Sequence, residues 1–137
     1  MALAKPKQHV FELKKTHLIV SLVILLMEVA IALWVRDSFV RPVFGDFLVT
    51  ILLYTAFRGV FAGGPLQWAV VAVGISFLVE TLQAFRIVER LGLADCRIAA
   101  VLIGTSFSVT DLVAYSLGGG VALLIDTLVL RDRSPFA

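Results

Sequence analysis

Apolar residues fall in four long blocks along this chain, and polar residues gather where the blocks end. The blocks cover about 18–35, 44–61, 66–85 and 109–130. Each is close to the ~20 apolar residues that a helix needs to cross a bilayer. Backbone groups in lipid must be satisfied within the segment, so the pattern predicts helices. The expected fold is an all-α integral membrane protein, a four-transmembrane-helix antiparallel bundle. It forms a single membrane domain over 1–137, with a longer loop between helices 3 and 4.

The connections differ in character. "RDSFVRPV" at 36–43 reads as a short polar turn containing Pro42. "AGGP" at 62–65 is a tight turn of helix breakers, which pairs helices 2 and 3 as a hairpin. Within the long connection 86–108, "RIAAVLIGTSF" is too short to span. It either lies in the interface or folds over the bundle. The basic start and "AIA" at 30–32 resemble a signal peptide, but Glu28 interrupts the apolar core. Cleavage is therefore not expected.

Composition supports the membrane reading. The 137 residues are 60% hydrophobic and 16% charged, against roughly 45–50% apolar and about 25% charged in soluble domains. That is too little polar surface to cover a water-soluble globule. The net charge of +2 is better read as membrane orientation than as nucleic-acid binding. With the N-terminus inside, Lys5, Lys7, Lys14, Lys15, Arg58, Arg131 and Arg133 are cytoplasmic. Arg36, Arg41, Arg86, Arg90 and Arg97 then lie outside. The positive-inside rule favours this arrangement, with both termini cytoplasmic. Cys96 is the only cysteine, so neither an intrachain disulfide nor a cysteine metal site is expected.

On that topology the polar residues fall at one membrane face. Asp46 opens helix 2, Glu80 and Gln83 close helix 3 in "FLVETLQAF", Arg86 follows, and Asp111 opens helix 4. At ~100° per residue, Asp111, Tyr115, Gly118, Ala122 and Asp126 form one stripe along helix 4. Ala114, Gly118 and Ala122 add a small-residue series suited to close helix contact. Glu28 lies near the middle of helix 1, where a charge costs about 2.5–3.5 kcal/mol on insertion scales. It should face inward, pair with a cation or be protonated. Arg58 and Asp126 fall near the other face and read as a structural ion pair.

Other features have plainer readings. Gly118, Gly119 and Gly120 suit close packing rather than phosphate binding. Trp34 and Trp68 read as interfacial aromatics. His9 and His17 read as incidental residues of the tail. "SVTD" at 108–111 reads as a helix start, with a capping hydroxyl at Ser108 or Thr110 and an acid in the first turn.

"EVAIALWVRDSFVRPVFGDFLVTILLY", "VETLQ" and "IGTSFSVTDLVAYSLGGG" resemble a small bacterial membrane-protein family, domain of unknown function 2809. More remotely, the E-x-x-Q of helix 3 and the aspartate opening helix 4 resemble VanZ-like proteins, which are linked to teicoplanin-type glycopeptide resistance. The chain departs from that group in having no histidine soon after Asp46. The resemblance implies motif positions at Glu28, Arg41, Asp46, Tyr54, Arg58, Glu80, Gln83, Asp111 and Tyr115.

These readings converge on a ligand site made of Glu80, Gln83, Asp111, Asp46, Arg41, Arg86 and Tyr115. Its expected ligand is an envelope lipid or polar small molecule. The alternatives are a structural or partner subunit, and a small proton-coupled transporter that would need a homo-oligomer. An enzyme is the least favoured reading, because no motif names a reaction. No metal or cofactor is expected.

Overall fold

The computed structural model describes residues 11, 13–92, 95–96 and 108–129. All regular elements among them are helical. They are α1 (Lys15–Trp34), α2 (Val40–Val60), α3 (Pro65–Ala84), the short α4 (Ile87–Arg90) and α5 (Val109–Leu128). The first three and α5 are each long and apolar enough to cross a membrane. The apolar stretch 97–107 of the long connection lies outside the described residues.

Two helices begin earlier than their hydropathy indicates. α1 starts at Lys15, and α2 starts at Val40. Arg41 and Pro42 therefore belong to the first turn of α2, not to the turn before it. Proline is tolerated there because the first N–H groups of a helix have no intrahelical acceptor. Asp37 supplies an acceptor instead. Its Oδ1 receives the N–H groups of Phe39 and Val40 at 2.6 and 2.8 Å. These two bonds hold the Asp37 carboxyl below its ordinary range. A depressed folded value stabilises this end above the unfolded value and is lost as pH falls through the folded one. Amide exchange at Phe39 and Val40 should therefore accelerate in Asp37→Ala. In the native chain the protection of these amides, corrected for the slower intrinsic exchange in acid, is expected to fall once acid protonates Asp37.

α2 and α5 form the centre of the molecule. α1 packs on α2, and α3 packs on α5 and α2. The core joins Ile24, Leu48, Ile51, Tyr54, Ala69, Ala72 and Ala122. Small residues dominate on α3 and α5, as expected where lipid tails cannot drive helices together and close backbone contact must. Leu22, Leu26, Val70, Leu78 and Leu124 point outward, as lipid-facing side chains would.

Hydroxyls bridge the middle of the bundle. Ser21 on α1 donates to Thr55 on α2 at 2.8 Å, and Thr50 lies 3.2 Å from Ser76 on α3. The α2–α3 turn depends on Gly63, whose φ of 145° disfavours other residues. Phe57, Phe61 and Trp68 stack beside it, the Phe57–Trp68 ring centroids 5.4 Å apart. Trp34 ends α1 with 76% of its surface exposed.

Candidate functional site

Two stripes face each other across the α2–α5 contact. On α2 they comprise Asp46, Thr50, Tyr54 and Arg58, each four residues from the last. On α5 they comprise Asp111, Tyr115, Gly118, Ala122 and Asp126. Gly118 sets the distance between the helices. A Cβ there would lie 2.5 Å from the Phe47 carbonyl oxygen and 3.1 Å from the Thr50 Cβ. The stripes meet in opposite ways at their two ends. Arg58 meets Asp126 at one, and Asp46 meets Asp111 at the other.

The Arg58 end is electrically closed. Arg58 Nε donates to Asp126 Oδ2 at 2.7 Å, and the Tyr54 hydroxyl donates to the same oxygen. His17 Nε2 hydrogen-bonds Asp126 Oδ1 at 3.1 Å. Arg58 Nη1 donates to the Gly63 carbonyl at 2.7 Å, tying the network to the α2–α3 turn. None of the four side-chain partners is more than 2% exposed. His17 is not an incidental residue of the tail. It lies inside α1, because that helix begins before the apolar block does.

The acid end gathers carboxyls instead. Glu80 near the end of α3 is fully buried. Its Oε1 accepts the Ser108 N–H, and its Oε2 accepts the Tyr115 hydroxyl at 3.3 Å. Asp46 lies beside Asp111 and Tyr115, within electrostatic range of Glu80. Asp111 stands in the first turn of α5, where the helix dipole favours an anion. Ser108 occupies the N-cap position, but its hydroxyl makes no capping bond; its contribution is the backbone N–H given to Glu80. Gln83 follows one turn after Glu80 and is partly buried.

The arginines expected beside these acids lie elsewhere. Arg86 adopts a φ of 53° after α3 and pairs with Glu89 at 2.7 Å, its side chain 67% exposed. Arg41 is exposed on the first turn of α2. Among the described residues, no lysine or arginine forms an ion pair with Asp46, Glu80 or Asp111. Nor does any group of three His, Cys, Asp or Glu among them have the geometry to hold a metal ion.

Glu28 belongs to neither cluster. It sits between α1 and α2, with Oε2 facing Gly45, where a Cβ would be 3.7 Å away. Its Oε1 is buried and has no hydrogen-bond partner among the described residues. Sequence reasoning missed His17 entirely and reached Tyr54 only through family resemblance. The available signal was spacing: His17, Ser21 and Glu28 share one face of α1 with Ile24, and that face meets α2.

No curated protein and no solved structure matches the chain. The family model of DUF2809, described as a protein of unknown function, matches residues 35–119. That stretch holds Asp46, Tyr54, Arg58, Glu80, Asp111 and Tyr115, while His17 and Asp126 lie outside it. The match covers more than half of the sequence, and the chain belongs to the DUF2809 family.

Proposed function

We propose that this multi-pass protein of the bacterial inner membrane binds an envelope lipid or polar small molecule. The site is formed by Asp46, Glu80, Asp111 and Tyr115, with Gln83 at its edge. In this reading the four spans alternate in direction, both termini are cytoplasmic, and the acids lie toward the outer face. One observation carries the proposal. Three carboxyls from three helices lie within electrostatic range of one another, and none forms an ion pair with a lysine or arginine among the described residues. The opposite end of the same two helices is fully neutralised.

Carboxyls packed together repel when ionised. Hydroxyl or ammonium donors of a ligand would relieve that repulsion and fill the remaining acceptor positions. Arg41 and Arg86 have no part in this version of the site.

A structural reading also has support. Glu80 already receives two donors, Ser108 N–H and Tyr115 OH, which would let it act as a staple for the start of α5. Thermal melting in mild detergent, with and without an envelope lipid extract, separates the two. A ligand present at 100 times its Kd stabilises by about 2.7 kcal/mol. The binding reading expects the extract to raise the wild-type melting temperature by more than that of Asp111→Asn. An equal rise in the two proteins, or none in either, would leave the staple as the account of Glu80.

A further inference from the structure

Apart from the acid cluster, a groove of about 410 Å³ runs between α2 and α5. Phe39, Val43, Phe44 and Phe47 form one wall, and Ala114 and Leu117 the other. The volume falls in the range of roughly 300–1,000 Å³ found for ligand sites, yet every lining side chain is apolar. Phe44 and Phe47 stack along it, their centroids 6.1 Å apart. One end stops where Gly118 meets the Phe47 carbonyl. The other reaches Phe39, beside the exposed Arg36 and Arg41. From Phe39 to Phe47 the helical rise spans about 12 Å, most of the ~15 Å hydrocarbon depth of one leaflet.

Length, lining and charge point to one occupant. A spanning helix opens such a groove sideways onto hydrocarbon rather than water, so its contents are apolar. Arg36 and Arg41, exposed and within three residues of Phe39, supply charge that matches a phosphate, which arginine binds with two parallel hydrogen bonds. We infer that the groove holds one acyl chain of an anionic phospholipid, its phosphate against Arg36 and Arg41. This site is separate from the carboxyl cluster, which would repel a phosphate.

The test reconstitutes the protein in vesicles of phosphatidylcholine and phosphatidylglycerol. Native mass spectrometry after mild-detergent extraction then reads the retained lipid. The expected result is one phosphatidylglycerol kept in preference to phosphatidylcholine. Val40→Trp and Leu117→Trp change exposed residues (58% and 59%) and fill the groove from its rim. Each should reduce retention about tenfold, the effect of excluding roughly two methylene groups. Arg36→Gln combined with Arg41→Gln should abolish the preference for the anionic lipid. Leu22→Trp on the outer face of α1 should change nothing, and neither should Glu80→Gln, which reports on the carboxyl site instead. Equal retention in the groove variants and Leu22→Trp would overturn the inference. So would a lipid-free dimer, which would make a second copy the occupant.

Discussion

Asp126→Ala should be the most damaging single substitution in this protein. Removing the carboxylate leaves Arg58 buried and charged, with its Nε unpaired, and takes the acceptor from Tyr54 and His17. Breaking one side of a buried ion pair costs roughly 3–5 kcal/mol, mostly the penalty of the charge left behind. The loss should appear as a large drop in the melting temperature in detergent. Because His17 is the α1 member of the network, α1 should also exchange its amide protons faster. Arg58→Met combined with Asp126→Leu should recover much of the loss, since the pair is then replaced by apolar volume. If Asp126→Ala melts like the wild type, this network does not hold the helices together.

Gly118→Ala should have the second largest effect. Its new methyl would collide with the Phe47 carbonyl, which is backbone and cannot swing aside. α5 must then back away from α2, and overpacking of this kind typically costs about 1–3 kcal/mol. The same shift would widen the contact on which both polar ends depend. Gly120 is the matched control. A Cβ there meets nothing within 4 Å, so Gly120→Ala should be neutral or slightly stabilising. Equal melting of the two variants would mean that the α2–α5 contact is looser than described.

The four apolar blocks were legible because a bilayer imposes length and hydropathy together. Helix starts were less legible. Lys15, Thr16 and His17 lower the local hydropathy, yet they lie on α1. Pro42 reads as a turn residue, yet it fits the first turn of α2, whose two leading N–H groups Asp37 receives. The α5 stripe was readable from its spacing, and the Asp46–Thr50–Tyr54–Arg58 series on α2 has a spacing just as regular. In a helix that is apolar nearly all round, the few polar positions carry the packing direction.

Arg86 shows where membrane depth stops being informative. Its position just after α3 suggests the same level as Glu80, but level does not fix the direction in which a side chain points. The turn after α3 sends Arg86 outward to Glu89, three residues on. Charge placed by depth alone therefore assigned the acids a partner that the structure gives to another residue.

The central claim is that the acid end is a site and the Arg58 end is a clamp. Native mass spectrometry of protein gently extracted from its own membranes tests it most directly. The expected result is a reproducible bound molecule besides any groove phospholipid on the wild-type protein, retained in Gly120→Ala and lost in Glu80→Gln, with the Glu80→Gln protein still folded. A wild-type protein carrying no molecule that Glu80→Gln loses, with Glu80→Gln merely less stable, would contradict it and make both ends clamps.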